Sequence, residues 1–298
     1  MSKKIKMRNV FRVDVAPEGK HEDYRNAEMI SYSSISTDEL GNVSEDIKYD
    51  DFGNEIGRQK YSYDEKGILI GEETYNEEGE LEEKLSFEYD STGKVGKEFV
   101  HYLDDTVDTV GYTYDGDKLI KKTLMDEDGE VEEEEIFVYD GDKLIREEKY
   151  EEGELVLKNI FKYDENGKVI EAEVMNDEEK SKLINEYDDK GNRICFFKYD
   201  ENDKLIEKHL MTYDEKGNAI EIIEEDRYKK STVKIEYDEK GNAIGQKEMN
   251  RGGALTHEVA RDYDENGNLT EVRAVIMGPD QKPERKYMLV YKYEFWDE

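Results

Sequence analysis

Tyr-Asp pairs punctuate this sequence, and those at Tyr63, Tyr89, Tyr114, Tyr139, Tyr163, Tyr187, Tyr213, Tyr237 and Tyr263 recur at intervals of 26, 25, 25, 24, 24, 26, 24 and 26 residues. A period this regular means one supersecondary unit copied many times, each copy too small to bury its apolar face without its neighbours. An earlier pair stands at Tyr49. Degenerate second copies fall midway: YNEEGEL at Tyr75, MDEDGEV at Met125, YEEGEL at Tyr150, YDENDKL at Tyr199 and MNRGGAL at Met249. The elementary unit is therefore one strand and one turn.

The phrase YDEKGN, present unchanged at Tyr213–Asn218 and Tyr237–Asn242, has the chemistry of a hairpin corner. An Asp at the first turn position can accept a backbone N–H, and Gly takes the later position where φ must be positive. A type I turn closed by a left-handed Gly is a common short hairpin loop. Asp64, Gly67, Asp164, Gly167, Asp214, Gly217, Asp238, Gly241, Asp264 and Gly267 are the turn residues this reading selects. Tyr ends the incoming strand, and an apolar pair such as Leu69-Ile70 or Val169-Ile170 begins the next.

Alternation assigns the faces. Along Leu155–Tyr163 it puts Leu155, Leu157, Phe161 and Tyr163 on one side, and Val156, Lys158, Ile160 and Lys162 on the other. No stretch keeps a helical period over three turns. The sequence predicts an all-β fold, a repetitive antiparallel β-meander of about twenty strands, twisted or wrapped into an elongated sheet or spiral. Residues 1–45 read as N-terminal capping strands, 46–276 as tandem repeats of about 25 residues, and 277–298 as a C-terminal capping strand.

Composition separates folding from disorder. Hydrophobic residues make up 35% and charged residues 41% of the chain, against roughly 45–50% and 25% in ordinary globular domains. Disordered acidic chains are poor in aromatics, whereas this one has 22 Tyr and 9 Phe. The balance points to a folded chain with a large surface for its volume. Lys+Arg 44 against Asp+Glu 78 gives 44 − 78 = −34, a charge that repels nucleic-acid phosphates and anionic lipid heads. No nucleic acid and no membrane is expected among the partners; a basic protein is. A single cysteine, Cys195 in the apolar stretch NRICFFKY, excludes an intramolecular disulfide and reads as an inert buried thiol. No signal-like apolar run follows the basic start MSKKIKMRNV, and there is no apolar stretch of about 18 residues. The expected location is cytoplasmic, or extracellular if an export signal has been removed.

Catalytic signatures are missing. His21, His101, His209 and His257 are scattered without zinc-ligand spacing, and no GxSxG, GxGxxG or P-loop occurs. A non-enzymatic protein without cofactor is expected. Asp126–Glu135 packs eight carboxylates into ten residues but lacks the ligand order of a calcium loop. Its Asp126, Glu127, Asp128, Glu132, Glu133, Glu134 and Glu135, with Tyr287, Tyr291 and Tyr293 of the last strand, form the candidate interaction surface. The recurring Tyr either cover the core with the hydroxyl toward solvent or form an aromatic ladder for a sugar or a partner side chain.

The Tyr-Asp-x-x-Gly-x phrase with its Gly-bearing second half resembles the YD repeats of bacterial RHS-type proteins over Tyr49–Arg273. That resemblance implies a β-sheet wound into a large shell or spiral. Here the unit is longer than the usual one, and the family's C-terminal Asp-Pro-x-Gly-Leu element has no counterpart, the late prolines lying in MGPDQKP. Self-cleavage and an enclosed toxin are therefore not carried over. The expected function is that of a non-enzymatic interaction protein with a strongly acidic surface: an immunity, adaptor or chaperone-like partner of a basic protein or toxin. The alternative is a carbohydrate-binding or cell-surface repeat protein that uses exposed Tyr to hold a glycan.

Overall fold

A computed structural model describes residues 4–20, 27–176 and 179–296. His21 lies outside the described residues. Among them run twenty-two strands, numbered β1 to β22 along the chain, all belonging to one sheet. Consecutive strands pair antiparallel, as β4 (Glu55–Tyr63) does with β5 (Leu69–Tyr75) and β12 (Glu154–Tyr163) with β13 (Val169–Asn176).

The meander is not open. The first strand, β1 (Ile5–Val15), pairs along one edge with β2 (Ile30–Thr37) and along the other with β22 (Pro283–Phe295). Ile5 stands opposite Phe295 and Val15 opposite Lys286. The sheet thus closes into a β-barrel, which corrects the expectation of an elongated sheet or spiral. The physical reason is that an open meander exposes two rows of unpaired N–H and C=O groups, and pairing the outer strands removes both. That pairing joins opposite ends of the chain, so no local period encodes it.

The corners set the strand faces. At most of them the ladder slips by one residue: Tyr63 pairs with Leu69 while Ser62 pairs with Gly71, and Tyr163 pairs with Val169 while Lys162 pairs with Glu171. Ile70 and Ile170 are the extra residues and are turned outward, 42% and 38% exposed. Such a bulge changes which residues share a face. The same slip at Val156, between the pairs Lys149–Leu157 and Tyr150–Leu155, breaks the strict alternation read along Leu155–Tyr163.

Backbone contacts divide the chain into two units, one of Met1–Ser86, Tyr102–Asp104 and Lys234–Glu298, the other of Phe87–His101 and Asp105–Val233. In the first, Val13 and Met288 are buried together, with Val15, Ala27 and Val290 packed against them. The connection after β1 is tied down there by the Lys286 ammonium, which donates to the Gly19 carbonyl at 3.0 Å. In the second unit Val110 and Ala172 are buried, and so is Glu148, which pairs across strands with Lys158 at 2.9 Å. The hydrogen bond from Lys158 holds the Glu148 carboxyl below its usual range.

The solvent-accessible surface is 19140 Å², against roughly 13,000 Å² for a compact protein of this mass. Only Val10, Val13, Val110, Ala172, Ala274 and Met288 are buried apolar residues among those described, and of these Val13 alone is fully buried. Stability therefore rests on the strand ladder and on cross-strand pairs, each contributing about 0.2–1 kcal/mol, more than on a central core.

Candidate functional site

Every corner built on Asp-x-x-Gly consumes its first carboxylate internally. Asp64 Oδ1 accepts the backbone N–H groups of Lys66 at 2.8 Å and Ile68 at 2.9 Å. The Gly67 N–H donates to the Asp64 carbonyl at 3.0 Å, and the Asp64 N–H to that of Ile68 at 2.9 Å. Gly67, Gly167, Gly217, Gly241 and Gly267 have φ between 79° and 89°, where a Cβ is strained. At six corners, those of Asp38, Asp50, Asp188, Asp214, Asp238 and Asp264, Asn adds a further donor; in the last three Asn218, Asn242 and Asn268 reach the second carboxylate oxygens at 2.9, 2.9 and 2.8 Å. That amide, helped by the backbone donors, holds each of the three carboxyls below the usual range. Asp164 Oδ1 likewise accepts from Asn166 and Lys168.

The tyrosine that precedes the corner ties it to the preceding one at the same end of the hairpins. Tyr63, Tyr114, Tyr163, Tyr187, Tyr213, Tyr263 and Tyr293 donate their hydroxyls to the carbonyls of Val43, Val95, Leu144, Val169, Arg193, Ala243 and Leu269, at 2.6 to 3.1 Å. Each acceptor is the first or second residue of the strand just before. In the second unit a lysine answers from that same place: Lys94, Lys118, Lys143 and Lys168 set their ammonium groups 5.2, 5.8, 5.3 and 5.8 Å from the ring centres of Tyr114, Tyr139, Tyr163 and Tyr187. Lys94, Lys118 and Lys143 also donate to the turn carbonyls of Gly116, Gly141 and Asp164. Sequence reasoning missed these lysines, although their offset of 19 to 21 residues from the partner Tyr repeats with the period.

With the first carboxylate satisfied, the second acidic residue of the turn faces water. Over five consecutive corners of the second unit an exposed acid recurs: Asp117 and Asp142 in two Asp-Gly-Asp turns, then Glu165, Asp189 and Glu215 beside the satisfied Asp164, Asp188 and Asp214. Asp117 and Asp142 are essentially fully exposed, although each touches a lysine, Lys94 at 2.7 Å and Lys118 at 2.9 Å. Successive corners are two strands apart, so this row carries one carboxylate about every 10 Å.

The acidic run is placed differently. Asp126 is half-buried and accepts the Glu130 N–H at 2.8 Å, Glu127, Asp128 and Glu132 are exposed, and Glu133, Glu134 and Glu135 are half-buried and laced to neighbouring strands. Glu133 meets Lys149 at 3.0 Å, Glu134 meets Lys121, and Glu135 lies 3.8 Å from Lys122. In the first unit, Tyr287 stacks near the guanidinium groups of Arg12 and Arg285, Tyr293 bonds Leu269 and stacks on Phe295 at 6.3 Å, and burial raises the pKa of Tyr291.

The groups that could do chemistry are engaged elsewhere. His209 contacts Glu207 at 2.8 Å and tilts against Phe196 at 5.0 Å; His257 meets Glu248 at 3.2 Å. Desolvation, with Glu186 adding to it, pushes the Cys195 thiol up, the reverse of what a nucleophile needs. Among the described residues no three His, Cys, Asp or Glu side chains converge on one point that could hold a metal ion. No helix among them is long and apolar enough to cross a membrane.

The class defined by these observations is a closed all-β repeat protein with tyrosine-tied corners. No protein-family model and no curated protein matches the chain. Among solved structures it is similar to TcdB2-TccC3, at 14% identity and a TM-score of 0.34, covering 87% of this chain and 19% of that one. A second TcdB2-TccC3 structure, lacking the hypervariable C-terminal region, gives 11%, 0.35, 92% and 18%. The chain thus spans about a fifth of the length of TcdB2-TccC3. A porin-like protein from Bacteroides uniformis shares 8% identity with a TM-score of 0.33, covering 99% of both chains. The likeness to TcdB2-TccC3 is weak and compatible with the YD-repeat resemblance, and at these scores none of the three bears on function.

Proposed function

We propose that the protein is a non-enzymatic binding protein for a basic polypeptide, in an immunity, adaptor or chaperone-like role, and that the row of corner carboxylates is where the partner lies. The observation that carries this reading is the regular exposure of Asp117, Asp142, Glu165, Asp189 and Glu215, the last three on turns whose other carboxylate, of Asp164, Asp188 or Asp214, is already satisfied. An extended chain advances about 3.3 Å per residue, so Lys or Arg at every third position matches a spacing of about 10 Å. Tyr–Lys contacts tie four of the five corners to their neighbours, which supports a low ordering cost of binding. A glycan reading is less favoured, since lysine ammonium groups occupy the faces of Tyr114, Tyr139, Tyr163 and Tyr187 on which a sugar ring would stack.

The test is fluorescence anisotropy with two labelled peptides of equal charge, one carrying Lys at every third position and one carrying the same Lys in a single block. The spaced peptide should bind more tightly, and more weakly as salt rises. At about 0.2–1 kcal/mol per exposed ion pair, the triple change Glu165→Gln, Asp189→Asn and Glu215→Gln should weaken it about tenfold. Equal affinity for wild type and triple variant would overturn the assignment.

A further inference from the structure

In this acidic molecule Arg8 stands, among the described residues, without an acid. Arg8 of β1 lies opposite Ile35 of β2 and Tyr293 of β22. Its Nε is withdrawn from solvent and has no hydrogen-bond partner. With 78 carboxylates in the chain, a half-buried arginine with neither an ion pair nor a hydrogen bond among the described residues calls for an explanation. The guanidinium borders a cavity of about 890 Å³ within the first unit, whose other walls include Ile5, Ile35, Val43 and Phe295.

The nearby polar groups sharpen the picture. The Lys4 ammonium, also on the cavity, donates to the Glu39 carbonyl at 3.0 Å and adds a second positive charge. Asp38 and Asp264, one and two residues along the chain from the lining residues Thr37 and Asn266, are held by Asn42 and Asn268 at 3.0 and 2.8 Å, and neither bonds to Arg8. Two cations over an apolar floor repel a basic segment, so this cavity does not serve the corner carboxylates. An arginine fork fits a carboxylate through two parallel N–H···O bonds, and an apolar wall fits a hydrocarbon chain.

We propose that this cavity binds an amphiphilic organic anion, a carboxylate carried on an unbranched apolar chain, with the carboxylate on Arg8 and the chain along Ile5, Ile35, Val43 and Phe295. The carboxylate supplies the partner that Nε lacks, and the chain covers the apolar wall.

Titration calorimetry with decanoate and with decanol, both kept below their aggregation limits, tests this on the full chain. Decanoate should bind wild type at least about tenfold more tightly than decanol, because only the anion completes the Arg8 fork. Arg8→Met should remove that preference, and Arg8→Lys, which keeps the charge but loses the fork, should retain part of it. Equal binding of the two probes by wild type, or no binding of decanoate, overturns the proposal, and neither reading needs a variant to fold. Decanoate binding that survives Arg8→Met in a folded protein also overturns it. The corner peptides should bind Arg8→Met as they bind wild type, which keeps this result separate from that of the corner assay.

Discussion

Replacing Tyr163 by Phe isolates the hydroxyl that ties one corner to the next. The ring stays, with Lys143 5.3 Å from its centre, while the 2.6 Å bond to the Leu144 carbonyl is lost. A neutral hydrogen bond of this kind contributes about 0.5–1.5 kcal/mol net, and Leu144 is half-buried, so water can reach the freed carbonyl and keep the loss near about 1 kcal/mol. In urea, with a slope of about 3 kcal/mol/M for a chain of this size, the midpoint should fall by about 0.3 M at unchanged slope. Tyr213→Phe should cost a similar amount, since its hydroxyl meets the Arg193 carbonyl at 2.7 Å. The two tyrosines stand two corners apart, about 20 Å, so the double variant should lose the sum, about 2 kcal/mol. Midpoints within about 0.1 M of wild type for both single variants would refute the tie.

Further outcomes follow from the corners. At Gly241, where φ is +89° and an added Cβ meets nothing within 4 Å, Gly241→Ala should cost about 1 kcal/mol from the left-handed backbone alone, and Gly241→Asn distinctly less, both read from urea midpoints. Gly71→Ala should also destabilise, but by contact, since its Cβ would lie 3.1 Å from the Leu85 carbonyl; Asn there should give no relief. The Asp214 carboxyl, held low by Asn218, supports the fold above the ordinary Asp value of about 3.9 and ceases to do so as pH falls through its lower folded value. Asn218→Ala should move the Asp214 titration upward toward that ordinary value in carbon-detected NMR, and an unmoved titration would contradict the assigned cause.

What could be read in the sequence was whatever closes within a few residues. Asp214, Gly217 and Asn218 make a corner by themselves, so the period and its strand–turn unit were legible. The destination of each Tyr hydroxyl was not: the acceptor lies 18 residues back for Tyr187 and 24 for Tyr293, on another strand, and only register places it there. The outward turn of Ile70 and Ile170 follows from a one-residue slip that alternation cannot show. Glu133 to Glu135 read as part of an interaction surface because their counter-charges, Lys121, Lys122 and Lys149, lie on the flanking strands. Lys4 and Arg8 were visible as a basic start, but that start became a site only once β1 lay between β2 and β22.

That seam has a consequence for how the chain can be rewired. With Ile5 beside Phe295, order along the polypeptide and order around the sheet are separate properties. A circular permutant, with a short linker across the seam and new termini at the exposed Asn76–Glu80 corner, would leave each strand beside its present neighbours. Successive permutants opened at other corners would then show which hairpin must be synthesised early for the seam to find its partner.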